Sequence, residues 1–519
     1  MVNKASGPLD LTHGVPLADL QEGQRLTGTI GDTAVLLLRN DGVIHALGAR
    51  CTHLGAPMAQ GLVRDGHLRC PWHQACFRLR DGAVLEAPAL EPLPTYAVSV
   101  REGRIYVGAR QPVPVPPRPR RQPASVSIVG GGAAAHAAVV SLQAAGYAGP
   151  LHLFTAESHL PYDRTRLSKD CLKGRLPPAA ELMLPPATAY AGVDVRLGTR
   201  VERVSASPRT LHLAGGGIHA YDSLILATGG APRRPALPGI DLAHVHTLRS
   251  YDDVVRLQDA LGGSPRVVVL GGGFIGLEVA AALRGRGCPV TLVDPAEVPI
   301  ARSLGRTLGT WLMDLHRAQG VSFCLGRLAS RIEADAVYLD DGTRLAAELV
   351  VVGMGVVPNT GLVADLGWDL DQGIPVDAGF ATPLADVYAV GDVAAVAGAD
   401  GAHLRIEHWT LAQRQAQALT QIILGAPTPA PIVPFFWSNH YDVKLRYVGH
   451  ASNWEQERCL GDLTKGRAAI VFESGGLPQA VATLGCDGLA MACAEALAAG
   501  GPQALQAALQ SGAAGLAPA

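Results

Sequence analysis

Ser125-Val-Ser-Ile-Val-Gly130-Gly131-Gly132-Ala133-Ala134-Ala135 begins as a β-branched strand, breaks on glycine and turns apolar and helical. The helix runs through His136-Ala-Ala-Val-Val-Ser-Leu-Gln-Ala-Ala-Gly146, and a second strand follows, Leu151-His-Leu-Phe-Thr-Ala-Glu157. The pattern returns 141 residues later (130 to 271) as Arg266-Val-Val-Val-Leu-Gly271-Gly272-Gly273-Phe274-Ile275-Gly276. It again leads into a helix, Leu277 to Gly287, and a strand, Val290-Thr-Leu-Val-Asp294. In such a unit the first Gly permits the tight turn and the second lets the backbone approach a pyrophosphate. The third position, Ala135 or Gly276, allows close helix–strand packing, with N–H groups and the helix dipole facing the anion. Each motif follows a strand, opens a helix and returns to a strand, which is the context that separates it from a chance match.

Two such units in tandem predict two Rossmann-like α/β domains, each binding a dinucleotide through Gly130, Gly132 and Ala135 or through Gly271, Gly273 and Gly276. Glu157 closes the second strand of the first unit, where it could clasp an adenosine ribose. Asp294 holds the corresponding place in the second. An acid there favours the free 2′-hydroxyl of NADH and repels a 2′-phosphate, and Pro295-Ala296-Glu297 offers no Arg to receive one.

The 519 residues suffice for about three to four domains at ~150 residues each. Residues 1–110 alternate short β runs with turns such as Asn40-Asp41-Gly42, predicting a small all-β domain. Residues 111–124 are proline-rich and predict a polyproline spacer of ~3 Å per residue, on the order of 40 Å of reach. The α/β pattern divides as 125–244 (first part of one domain), 245–356 (the second domain) and 357–430 (return to the first). Residues 431–519 are strand-rich and finish in an Ala-rich helix, predicting an α+β domain. Net charge is −2 with no basic stripe, which disfavours nucleic acid. The longest apolar stretch, Val267 to Leu283, contains Glu278 and four Gly and reads as strand and helix rather than a membrane span. The N-terminus lacks the basic start and apolar run of a secretory signal, and nine Cys form no disulfide framework. A cytoplasmic location is expected.

Ahead of both glycine motifs stand Cys51-Thr52-His53 and, sixteen residues on, Cys70-Pro71-Trp72-His73. Each loop offers one thiolate and one imidazole. Structural zinc accepts such a donor set, although zinc fingers group the two Cys in one knuckle and the two His on a helix. The segments CTHLGAPM and CPWHQACFRLRDG resemble the cluster-binding loops of Rieske domains, in which two Cys hold one iron of a [2Fe–2S] centre and two His the other. Ala56 and Trp72 stand where Rieske proteins of respiratory complexes carry an extra Cys pair, so the resemblance is to the ferredoxin or oxygenase type.

From residue 125 to about 480 the chain resembles flavin reductases that serve bacterial oxygenase ferredoxins, and apoptosis-inducing factor. With the front domain it is most similar to the Rieske-containing, apoptosis-inducing-factor-like branch. The resemblance implies an FAD domain, an NAD domain and a C-terminal reductase domain, with FAD, NADH and a [2Fe–2S] cluster as cofactors. It implies that Arg164 approaches FAD and Lys169 lies by the reactive edge of the isoalloxazine. Thr228-Gly229 would return the chain to the FAD domain, and Gly391-Asp392 would bind the ribityl chain. Trp409 and Trp437 would wall flavin and nicotinamide, and Glu278 would be the carboxylate near hydride transfer. A cation at Lys169 would stabilise negative charge on reduced flavin and hold Glu278 in place. Cys171 is solitary, which disfavours dithiol reduction.

The expected function is an NADH-dependent FAD oxidoreductase that passes electrons to the cluster and on to an unidentified acceptor such as an oxygenase or P450. A protein acceptor would need an exposed face around His53 and His73, and a homodimer stays open. A redox-responsive signalling protein and an NADH oxidase remain alternative readings.

Overall fold

The computed structural model describes residues 9–116, 118–398 and 401–513. Two five-stranded parallel sheets form its centre. One has the spatial order Asp194–Arg196, Leu151–Phe154, Val126–Val129, Ser223–Leu226, Val387–Ala389. The other runs Val245–Thr247, Leu349–Val352, Val267–Leu270, Val290–Asp294, Val321–Leu325. Both central strands, Val126–Val129 and Val267–Leu270, are buried along their whole length. That is why they read as unbroken apolar runs rather than as an alternation. Each sheet carries a three-stranded antiparallel companion, 201–220 and 329–346.

The helices Ala133–Ala144 and Phe274–Gly285 spring from the glycine turns between the first two strands of each unit. Gly130 has φ +140°, and a Cβ there would stand 2.0 Å from the Ala227 carbonyl oxygen, so only glycine fits. Gly276 is held by close approach instead: its Cβ would meet the Gly271 carbonyl oxygen at 2.0 Å.

The N-terminal all-β part contains an antiparallel meander, Arg25–Ile30, Thr33–Asn40 and Val43–Gly48. A four-stranded sheet follows, Leu62–Arg64, His67–Arg69, Cys76–Arg78 and Val84–Glu86. The C-terminal part is a five-stranded antiparallel sheet backed by the helix Asp487–Ala513, which kinks at Gly500 and Gly501. Segment 111–124 forms no regular element among its described residues, yet it does not hang free. The Gln111 N–H donates to Thr95 O (2.8 Å), Arg121 N–H to Leu424 O (3.1 Å) and Ala124 N–H to the Asp222 carboxylate (2.7 Å). Pro114, Pro116 and Pro119 line a cavity of about 720 Å³ together with Leu90 and Ala144.

The all-β part is seated on the rest of the chain through a buried charge cluster. Arg69 donates twice to Glu86 of its own sheet (2.9 and 3.0 Å) and once to Glu495 of the C-terminal helix (2.5 Å). Arg414, on the helix Trp409–Ile423, reaches Glu86 (3.1 Å), Ala87 O (3.0 Å) and Gln74 O (2.9 Å). The two guanidiniums beside Glu86 hold its carboxyl down to about 2 against the upward push of burial. Removing one partner of a buried pair costs about 3–5 kcal/mol, because the other charge is left unpaired. Arg69→Ala is therefore expected to lose stability of that order in chemical denaturation. It should also speed proteolysis within 111–124 as the all-β part comes loose.

Candidate functional site

The two Cys/His loops adopt one backbone pattern. Cys51 N–H donates to Ala56 O (2.9 Å) and Gly55 N–H returns to Cys51 O (2.9 Å). Cys70 N–H likewise donates to Ala75 O (2.8 Å) and Gln74 N–H returns to Cys70 O (3.2 Å). The fifth residue of each loop, counted from its Cys, is left-handed, Gly55 at φ +73° and Gln74 at +61°. This matched folding brings like to like. The thiols of Cys51 and Cys70 hydrogen-bond one another, which raises Cys51 and lowers Cys70. The Nδ1 atoms of His53 and His73 stand 3.2 Å apart with the rings edge to face. Burial holds His53 down to about 4 and lowers His73 as well, so both imidazoles are neutral donors at pH 7.

Among the described residues, no three His, Cys, Asp or Glu side chains converge on one point that could hold a metal ion. A tetrahedral zinc needs four donors around a single centre. Two separate pairs, sulfur and nitrogen, instead suit a binuclear cluster whose irons each take one pair.

The exposed face that a protein acceptor would need around His53 and His73 is not present. They are only 8 % and 9 % exposed, and the His73 ring packs on Trp437 of the C-terminal sheet at 4.0 Å between centroids. The cluster loops thus dock within their own chain, with the imidazole edge turned inward. Trp437, expected beside flavin and nicotinamide, is drawn to this seam, with Phe435 at 6.4 Å on the same side of its strand.

Gly130, Gly132, Glu157, Arg164, Thr228 and Gly229 line one cavity of about 790 Å³ in the first α/β unit. Arg164 bonds Glu157 (2.5 Å) and Gly131 O (3.3 Å), and Tyr162 donates to the other Glu157 oxygen (2.6 Å). Glu157 lies three residues past its strand, Leu151–Phe154. Ala135 is fully buried on the helix and serves packing. A Cβ on Gly132 would come no closer than 3.9 Å to any neighbour, and on Gly273 no closer than 4.0 Å. Protein packing does not explain those two glycines, whereas backbone approach to a phosphate does. Asp392 pairs with Arg249 (2.8 Å), and Gly391 N–H donates to Gln415 (2.8 Å). The buried Trp409 Nε1 and His408 Nδ1 have no hydrogen-bond partner among the described residues. Such groups ordinarily find one. The donor set and the open glycines of this cavity fit FAD. In the second unit Asp294 ends its strand and accepts from Gly272 N–H (2.5 Å), directly over the glycine turn.

Lys169 and Glu278, 109 residues apart, meet at 2.8 Å. Glu278 is buried and also accepts from Ser168 (2.5 Å) and Ser438 (2.6 Å). Burial alone would raise its carboxyl; Lys169, His440 and the hydroxyls outweigh that and keep it below the usual range. Sequence reasoning missed Arg249, Asn359, Ser168 and Ser438. Arg249 and Asn359 sit in loops that carry no motif and reach the cavity only through the tertiary fold.

Residues 124–416 match the family model for pyridine nucleotide-disulphide oxidoreductase, residues 14–97 the Rieske [2Fe-2S] domain and residues 435–516 the reductase C-terminal domain. The chain belongs to the pyridine nucleotide-disulphide oxidoreductases. It is 30% identical to apoptosis-inducing factor 3 of Homo sapiens, over 93% of this chain and 83% of that protein. It is 35% identical to the ferredoxin–NAD(+) reductase component of the biphenyl dioxygenase system of Paraburkholderia xenovorans (strain LB400), over 67% and 86%. Its fold matches putidaredoxin reductase in the covalent complex with putidaredoxin, with TM-score 0.70 and 29% identity, covering 73% of this chain and 94% of that one. This member of the family is an NAD(P)H-dependent flavoprotein reductase with FAD and a [2Fe–2S] cluster as its cofactors. Among the described residues no helix is long and apolar enough to cross a membrane.

The Glu278 carboxyl is depressed in the folded chain. Its contribution to stability is therefore complete above its ordinary value of 4.5 and lost as pH falls below it. Glu278→Gln should cost about 3 kcal/mol at pH 7. The gap from wild type should narrow in denaturation curves taken below pH 4.5.

Proposed function

We propose that the protein carries electrons from NADH through FAD to a Rieske cluster held by Cys51, His53, Cys70 and His73, and from there to an external one-electron acceptor. The observation that carries this reading is the contact of His73 with Trp437. It seats the imidazole side of the cluster loops on the domain beside Lys169, whose charge, with those of Arg446 and Lys444, is felt at His73. FAD accepts a hydride as an electron pair, and the [2Fe–2S] cluster takes electrons one at a time.

The protein's share is binding and electrostatics. The turns at Gly130–Gly132 and Gly271–Gly273 present backbone N–H groups and helix N-termini to two pyrophosphates. Glu157, fixed by Arg164 and Tyr162, and Asp294 accept ribose hydroxyls. Asp392, steadied by Arg249, takes the ribityl chain, and Trp409 bounds the flavin. Lys169, pinned by Glu278 and the Thr165 carbonyl, holds positive charge where flavin becomes electron-rich.

The acceptor fits a protein of the oxygenase class, given a relative named as a reductase component of a dioxygenase system, and it would reach the cluster by a face other than the buried His53–His73 edge. A reducing cytoplasm suits the two thiol donors.

Anaerobic titration with NADH should bleach the flavin and raise an EPR signal of low average g in near one-to-one amount. Cys70→Ser should keep flavin bleaching and lose the signal. Flavin reduction without any iron signal, with zinc found by metal analysis, would sink the relay. Asp294→Asn should raise the KM for NADH about tenfold and narrow the preference over NADPH, read from parallel steady-state assays.

A further inference from the structure

Oxidation of NADH by a one-electron acceptor leaves one proton per hydride: NADH yields NAD⁺, two electrons and H⁺. The electrons have a route out through the cluster loops, and the proton needs one from a site whose carboxylate, Glu278, is buried. A continuous row of hydrogen-bonding side chains leads from that carboxylate. Glu278 Oε1 meets Ser438 Oγ (2.6 Å), Ser438 Oγ meets His440 Nε2 (3.0 Å), and His440 Nδ1 meets His316 Nε2 (3.2 Å). His316 Nδ1 then meets the Tyr441 hydroxyl (3.3 Å). Ser438, His440 and His316 are buried; Tyr441 is half-buried beside exposed Asp442.

We propose that Ser438, His440, His316 and Tyr441 form a proton path from Glu278 to solvent, by which the proton left by each hydride departs. The inference rests on the reading of Glu278 beside the hydride-transfer site.

The polarity of the row is consistent from end to end. The row conducts outward when its donors point away from Glu278: Glu278 Oε1–H donates to Ser438 Oγ, Ser438 O–H to His440 Nε2, His440 Nδ1–H to His316 Nε2, His316 Nδ1–H to the Tyr441 oxygen and Tyr441 O–H to solvent. Once Glu278 holds a proton, each proton of the row moves one atom outward, so every O–H or N–H bond broken is replaced by one formed on the next atom; Glu278 is left ionised, the row points back toward it, and both rings return to the Nδ1–H tautomer before the next turnover. The proton leaves from the tyrosine end, and no redox partner is consumed. A neutral imidazole is the side chain suited to this, since one ring nitrogen donates while the other accepts.

Burial keeps both rings neutral, His440 at about 4 and His316 at about 3. The charged or titratable groups that face them are Glu278 and Lys169 at His440, the second imidazole at each, and Tyr441 at His316. Tyr441 is pushed up to about 12 by burial, with Arg284 nearby drawing it down. Lys169 and Ser168 occupy the other oxygen of Glu278, so Oε1 is the one left for the row.

The test uses the holoenzyme, reduced with one equivalent of NADH and mixed with ferricyanide in weakly buffered solution containing a pH-indicator dye. In the wild type, acidification should track the return of flavin absorbance. His440→Gln keeps volume and hydrogen bonding but has no second tautomer to pass a proton. It should slow acidification on the order of 10²-fold, with bleaching by NADH changed less than twofold, and His316→Gln should do the same. Wild-type release in both variants overturns the path. If Glu278→Gln slows release while His440→Gln does not, the path fails and Glu278 keeps its role. If Glu278→Gln also releases at the wild-type rate, the reading of Glu278 fails with it. Imidazole ¹⁵N shifts of the resting wild type give a check free of turnover: both rings should be neutral at pH 6, and a cationic ring would overturn the proposal even if neither variant folds.

Discussion

The strand Phe435–His440 is where the two redox halves of this protein meet, and its two-residue pleat is the constraint on which their meeting depends. Successive side chains leave opposite faces of a strand. Phe435 and Trp437 go one way, to the buried cluster under the C-terminal helix and to His73. Phe436, Ser438 and His440 go the other, to Phe274, Glu278 and His316. A single strand therefore sets the distance between the cluster loops and the Lys169–Glu278 pair. A one-residue slip would exchange the two faces and empty both sites. The strand's register is held by pairing with Val443–Gly449 from Phe435↔Val448 to His440↔Val443.

Charge placement does for the all-β part what the pleat does for the strand. Arg69 and Arg414 share Glu86, and Glu495 joins from the C-terminal helix. A buried ion cluster of this kind adds little net stability over an apolar one, but it tolerates few alternative alignments. It fixes orientation, which an electron path requires more than affinity. Arg414 and Arg69 also both bond the Gln74 carbonyl, inside the second Cys/His loop, so the seam and the cluster loops are one rigid assembly.

Much of this was legible in the chain. The glycine turns dictate strand, turn and helix by backbone geometry alone: Gly130 lies at a φ that side-chain-bearing residues avoid, and Gly276 has no room for a Cβ. The matched Cys-x-His and Cys-x-x-His loops carry their chemistry in adjacent residues, so the sulfur and nitrogen pairs could be named before any fold was known. The α/β and all-β character followed from the same periodicities. Whether the imidazoles have an open face was not legible there, because solvent exposure is not a property of a loop. His73 is covered by a tryptophan 364 residues further on (73 to 437).

The sequence by itself determined what is encoded over a few neighbouring residues: turn geometry, strand and helix period, donor atoms and the sign of local charge. Only the tertiary structure decided what depends on chain segments far apart. It joined Lys169 to Glu278 and Arg249 to Asp392, and it turned His53 and His73 inward. It also laid Ser438, His440 and His316 in one hydrogen-bonded row. The reason is physical. Local rules act through covalent geometry and short-range hydrogen bonds. Buried polar contacts between distant segments arise because packing the apolar faces brings those groups out of water, where each must find a partner among whatever the fold has placed beside it.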